Sequence, residues 1–258
     1  MGLPLSLRVL EAEARVYRGV WRGSVVTGFL NPILYLFAMG LGLGTLVDAN
    51  LPQGIEGVSY LEFLAPGILV ATAMQTGATE GAWKVMGGIL WMKTWHARVA
   101  TPIGIEGLLV GHLMWSTVRV LLVSTIFAVV MAAFGVAPLF QALLAVGPAV
   151  LVGSAMASAT TAFSVRLKRQ EGLPMFFRFV VLPMFLFSGA FFPVAQLPDW
   201  LQPVAFVTPM FHGVELSRAL VIGTTPAVAW WISVLYLVGW IVGFAILSVA
   251  PLRRKLTP

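Results

Sequence analysis

The sequence predicts an all-α membrane protein with six transmembrane helices, an N-terminal amphipathic interfacial helix and re-entrant helices between spans five and six. Three observations predict it. First, of 258 residues 59% are hydrophobic and only 10% charged, with a mean hydropathy of +0.93, whereas a soluble domain carries about 25% charged residues. Second, the apolar residues come in long stretches near the ~20 residues that cross a bilayer as a helix. They lack the apolar–polar alternation of a membrane β-barrel. Third, the basic residues fall almost entirely on alternate connections between those stretches, as the positive-inside rule requires.

The chain opens on LPLSLRVLEAEARVYRGVWR, residues 3–22. Leu3, Leu7, Leu10, Ala14, Tyr17 and Trp21 recur at spacings of four and three, and Arg8, Glu11, Arg15, Arg18 and Arg22 line another face. That pattern predicts a helix lying in the membrane interface. A charged segment of this length and mixture is not the basic start of a cleavable signal. The six spans are then expected at Val25 to Leu46, Tyr60 to Ala82, Glu106 to Phe134, Leu139 to Val165, Leu173 to Phe192 and Val228 to Ala250.

Fourteen of the sixteen Lys and Arg residues lie before span one, between spans two and three, around the start of span five, or after span six. Both termini are therefore expected in the cytoplasm. The net charge of +6 follows from this topology and gives no reason to expect nucleic acid as a partner. Trp21, Trp83, Trp91 and Trp95 fall near inner boundaries, and Trp200, Trp230 and Trp231 near outer ones, as interfacial belts do. Gly40 and Gly44, then Gly153, Ala157 and Thr161, then Gly239 and Gly243 are small residues four apart. They predict close helix packing within the chain.

The sequence has no cysteine and no glycine–lysine pair, so it carries neither thiolate chemistry nor a GxxxxGK[ST] phosphate loop. It also lacks HExxH and GxSxG, and His96, His112 and His212 are scattered. No catalytic, cofactor or metal site is expected. Any energy for transport must come from an ion gradient or another subunit. An ion-driven carrier usually needs ionisable groups deep in the bilayer. Arg119 is the deepest charge, about 13 residues into the third span; Gln75, Glu80 and His112 complete a possible cavity. Glu80 is read near the inner boundary, four before Lys84, a favourable pair. Arg119 then has no acid at similar depth, and Gln75 or backbone carbonyls are its expected partners.

Two connections are unusually apolar. Residues 84–107, KVMGGILWMKTWHARVATPIGIEG, are too polar to cross and too apolar for a free linker. Leu90, Trp91, Trp95 and Val99 form one side of a short helix here, an apolar knob flanked by Lys93 and Arg98 for a partner or for the membrane surface. After Phe192, Pro193 must interrupt the helix, yet the chain stays apolar to Phe211. Non-helical backbone at membrane depth survives only where protein or water satisfies it. One or two short helices dipping back from the outer face are expected, capped by Asp199 and Trp200.

These two stretches carry a resemblance. FSGAFFPVAQLPDWLQPVAFVTPMFHGVELSRALVIG, residues 187–223, with Ser188, Gly189, Pro193, Leu197, Pro198, Trp200, Leu201, Pro209 and Arg218, resembles the permease subunits of type-2 (ABC-2) ABC exporters. These include daunorubicin-type drug-resistance and nodulation lipo-oligosaccharide exporters. TWHARVATPIGIEGLLVG, residues 94–111, is similar around Ala100, Thr101 and Pro102. The resemblance implies a single transmembrane domain over 1–258. Residues 84–103 would be a cytoplasmic coupling helix and its flanks, seated in a groove on a separate P-loop ATPase. Trp91, Lys93, Trp95, His96, Arg98, Thr101 and Pro102 would make that contact. The outer gate would lie at 193–218 with Phe191, Phe192, Pro193, Leu197, Pro198, Trp200 and Leu201.

Two ATPase copies, carrying the ATP and Mg, and a second permease, identical or related, would complete an exporter in the bacterial cytoplasmic membrane. Its cargo would be hydrophobic or amphipathic: a drug or antibiotic, a lipid or a lipid-linked glycan. An ion-coupled secondary transporter acting without an ATPase, and a non-transporting membrane scaffold, are the alternative readings. The poverty of intramembrane acids weighs against the first.

Overall fold

The computed structural model describes residues 5–50, 54–55 and 57–256, without the side chains of Thr27 and Leu41. Leu3 of the N-terminal stripe and Glu56 of the first outer loop lie outside the described residues.

The first helix, α1, runs Leu5–Asn50, with wider π-type winding over Phe37–Gly44. An interfacial helix and a first span were expected as separate pieces; they are one helix of 46 residues. The reason is local. Only Gly23 and Ser24 separate the two patterns, and one glycine in a helix costs about 1 kcal/mol. At ~1.5 Å per residue α1 is about 70 Å long, more than twice the hydrocarbon core. Its inward line is Val9 and Glu13, at 2% and 8% exposure, one position off the predicted stripe.

Helix α2, Tyr60–Thr79, begins with a capping box. The Ser59 hydroxyl accepts from the Glu62 N–H, and the Glu62 carboxylate accepts from the Ser59 N–H at 2.9 Å. Asp48 of α1 accepts the Tyr60 N–H at 2.9 Å, which ties the top of α2 to α1. Below Thr79 the helical path does not stop at Ala82. It continues through π-type turns at Glu80–Lys84 and Gly87–Trp91. A short helix α3, Thr94–Val99, follows, then α4, Gly104–Ala133; α5, Leu139–Ser164; and α6, Gly172–Phe187. A 3-10 turn at Val194–Gln196 leads into α7, Gln202–Val207, and α8, Pro209–Val221, before α9, Trp230–Leu256.

All six apolar stretches are helical. By length and composition α1, α4, α5 and α9 can each cross a membrane; α6 is shorter. The expected fifth span ended at Phe192, but α6 ends at Phe187 because Gly189 turns left-handed at φ 84°.

The core is the crossing of α2 and α5. A Cβ on Gly77 would lie 1.9 Å from the Gly153 carbonyl oxygen, and one on Gly81 would lie 2.5 Å from that of Ala157. Two backbones in contact allow only glycine there. The small residues of the fourth span therefore pack within the chain, and Gly40 lies against the side chain of Leu61. Gly239 and Gly243 do not: nothing of the described chain lies within 4 Å of a Cβ built on either. A second apolar cluster, with Val9, Val85, Ile89, Trp95, Leu108 and Leu252, closes the predicted cytoplasmic end.

Candidate functional site

Helix α3 is a six-residue element between two left-handed residues, Lys93 at φ 53° and Gly104 at φ 64°. A lysine there is uncommon; it makes the turn between the end of the α2 path and α3. Trp91 therefore belongs to the α2 path and Trp95 to α3, so they do not share one helix side as expected. Trp95 is 3% exposed. Its indole lies on Gly88, where a Cβ would come within 2.2 Å of it, and edge-on to His112 at 5.3 Å. Trp95 is thus an anchor to the interior and no part of an exposed knob. The Gly87-Gly88 pair was the sequence signal for it. What α3 and its flanks expose is Trp91 (54%), Met92 (68%), Lys93, Thr94, Thr101 and Pro102. Trp91 stacks on Trp83 at 6.5 Å. His96 and Arg98 are half-buried.

Arg98 faces inward to a network. It donates to Oε1 of Glu13 at 2.6 Å, while the Lys84 ammonium holds Oε2 at 2.8 Å. Burial alone would push the Glu13 carboxyl up; the Lys84 and Arg98 cations more than reverse this and hold it below the ordinary carboxylate value. Glu13 sits on the part of α1 that precedes its apolar stretch. Lys84 also stands 3.5 Å from Glu80, and over the Trp115 ring at 5.0 Å.

Arg119 was expected to lack an acid at its depth. Its Nε instead donates to Oε1 of Glu80 at 3.3 Å, and its guanidinium lies over the Tyr17 ring at 4.5 Å. The correction follows from the helical path reaching Trp91. Glu80 lies eleven residues above that end, not at the inner boundary, so it meets Arg119 across the α2–α4 contact. The i,i+4 pair with Lys84 was legible; Glu13, Tyr17 and Trp115 were missed, because they come from distant segments.

These groups border two adjoining recesses. One, of about 300 Å³, is lined by Ser24, Asn31, Thr72, Gln75, Thr79 and Arg119, among others. The other, of about 270 Å³, includes Glu13, Tyr17, Trp83, Lys84 and Trp115. Both share Ser24, Thr79, Glu80 and Arg119. Gln75, Glu80 and Arg119 are thus brought together. His112 is not; it is buried with Nε2 3.4 Å from the Thr161 hydroxyl.

At the opposite end, Arg218 of α8 is 2% exposed. It donates to the carbonyls of Phe63 at 3.2 Å and Ala190 at 3.1 Å, and its guanidinium lies 3.6 Å from the Phe63 ring centroid. It ties the turn after α6 to the top of α2. Phe191 is edge-on to Phe185 at 4.9 Å, and Leu197 is buried. Phe192, Pro193 and Leu201 are half-buried, Pro198 is exposed, and Trp200 is 74% exposed. The helix-breaking segment is thus a folded cap of a 3-10 turn and two short helices.

Residues 8–222 match the family model described as ABC-2 type transporter. The chain is 30% identical to "Nodulation protein J" of Rhizobium meliloti (strain 1021), over 98% of this chain and 99% of that protein. It is 31% identical to "Nodulation protein J" of Rhizobium leguminosarum bv. viciae over the same shares. It is 27% identical to "Putative transport permease ycf38" of Porphyra purpurea, over 81% of this chain and 73% of that one.

Proposed function

This chain belongs to the ABC-2 type transporter family, and from that we propose that it is the permease of an exporter driven by a separate P-loop ATPase. Two ATPase copies bind the ATP and Mg, and this chain contributes no nucleotide site. A second permease, identical or related, pairs with it. The chain crosses the bacterial cytoplasmic membrane six times with both termini inside. The cargo is hydrophobic or amphipathic: a drug or antibiotic, a lipid or a lipid-linked glycan.

One observation carries the reading. A short helix at the predicted cytoplasmic end is fixed from behind by Trp95 and Arg98 while Trp91, Met92, Lys93, Thr94, Thr101 and Pro102 are left uncovered around it. An apolar centre with a basic rim suits a groove on a soluble partner. Phe191, Phe192, Pro193, Leu197, Pro198, Trp200 and Leu201 form the outer gate, held shut against α2 through Arg218. Gln75, Glu80 and Arg119 face the cargo's path on the inner side. An ion-coupled carrier acting without an ATPase would have no use for the uncovered surface around α3, and Glu80 is already paired with Arg119 and Lys84.

Cross-linking tests the placement. The sequence has no cysteine, so Lys93→Cys and Trp200→Cys each carry a single thiol. In native membranes Lys93→Cys joins to the ATPase and Trp200→Cys does not. Equal capture from both positions, or none from Lys93→Cys, defeats the reading.

A further inference from the structure

Helix α3 is joined to the chain by two left-handed turns, at Lys93 and Gly104, so its position is set chiefly by what its side chains hold. Its inward contacts are apolar, through Trp95 and Val99, and ionic, through Arg98. Trp95 rests on apolar surface, and such contact is non-directional; it can roll. Arg98 makes the directional one, to Glu13.

Glu13 divides its carboxylate. Oε1 takes Arg98 of α3, and Oε2 takes Lys84 of the α2 path. Lys84 leads to Glu80 one turn above, and Glu80 to Arg119 of α4. Arg119 then lies over Tyr17, four residues after Glu13 on α1. The connection is a closed circuit through α1, the α2 path and α4, bordering the recess, and α3 is attached to it at Glu13 through Arg98. Other acids at this end do not resemble it. In the pairs Glu11–Arg15 and Glu106–Arg253 every side chain is at least 49% exposed, and such pairs contribute little. Glu13 is 8% exposed; Lys84 has a second carboxylate in Glu80, whereas the ion pair of Arg98 is with Glu13.

We propose that Glu13 is a positioning residue that converts displacement of α3 into rearrangement of the recess at Glu80 and Arg119. The proposal rests on the function given above. When the partner moves α3, Arg98 carries the Glu13 carboxylate with it. Lys84 follows, and the Glu80–Arg119 pair changes its place between α2 and α4. Neutralising Glu13 leaves α3 held by its apolar contacts, and the recess does not respond.

The test uses the complex with its co-purified ATPase, in lipid nanodiscs, with Thr79→Cys as the reporter. Labelling by a membrane-impermeant maleimide is followed with and without Mg-ATP and vanadate, alongside ATP hydrolysis. Adding Glu13→Gln is expected to reduce the nucleotide-dependent change in labelling, per ATP hydrolysed, by about fivefold or more. Glu13→Asp, which keeps the charge, recovers at least half of it. Should Glu13→Gln not assemble, Arg98→Gln serves, since it leaves the Glu13–Lys84 pair in place; the same loss is expected. A response equal to the parent's in Glu13→Gln or Arg98→Gln overturns the proposal, and so does equal loss in Glu13→Asp and Glu13→Gln, which would mark a packing role. A parent complex that recruits no ATPase overturns the function itself, a result distinct from a responsive parent with a responsive Glu13→Gln.

Discussion

Nε of Arg119 donates to Oε1 of Glu80 at 3.3 Å, so a cation from α4 and an anion from the α2 path neutralise each other inside the helix bundle. Both side chains are only 16% exposed. Removing Glu80 leaves the Arg119 guanidinium without its carboxylate, whereas removing Arg119 leaves Glu80 its second cation, Lys84, at 3.5 Å. Glu80→Gln should lower stability by about 3 kcal/mol, and Arg119→Met by less. The double variant should lose less than the sum. Thermal unfolding of the detergent-purified protein, run as a double-mutant cycle, checks this.

Trp95 and Trp91 separate folding from partner contact. Trp95→Ala empties a buried site against Gly88 and should cost about 3–5 kcal/mol. Trp91→Ala alters an exposed ring and should leave the unfolding temperature near the parent value while weakening capture of the ATPase. Unfolding and co-purification, measured on both variants, distinguish the two roles.

Which of these features were legible in the sequence follows from their physics. The helices were legible because each carries its own apolar stretch. The α2–α5 seam was legible at Gly153, Ala157 and Thr161 because close packing demands small residues at helical spacing. The partner of Arg119 was not, because the apolar stretch alone puts Glu80 at a boundary; the π-type turns that lengthen the α2 path leave no mark in composition. Glu13 was missed because its partners are 71 and 85 positions away, and its own surroundings, EAEAR, look like an exposed face. Gly239 and Gly243 show the reverse error. Their spacing matches that of the seam, yet among the described residues nothing from another element lies within 4 Å of a Cβ built on either.

That contrast gives a steric prediction. Gly77→Ala drives a methyl into the Gly153 carbonyl and should destabilise by about 3 kcal/mol or more. Gly239→Ala places its methyl within 4 Å of no other element among the described residues and should stay within about 1 kcal/mol of the parent, since alanine favours a helix. Expression level and unfolding temperature of the purified variants decide it.

The Glu13 carboxyl is held below its ordinary value of 4.5 in the folded protein. On acidification the unfolded chain takes up this proton first. The stabilisation is therefore whole above pH 4.5 and is lost as pH falls through the lower folded value. The stability gap between parent and Glu13→Gln should be constant above roughly pH 5 and shrink below roughly pH 4. Unfolding curves of both proteins across that range test the sign.

The most direct measurement is purification of the tagged chain from native membranes in mild detergent, with mass spectrometry of what accompanies it. The account predicts a soluble P-loop ATPase in the complex, reduced by Trp91→Ala and Met92→Ala. Recovery of the chain without any ATPase, together with transport that an ionophore abolishes and ATP does not restore, would contradict it.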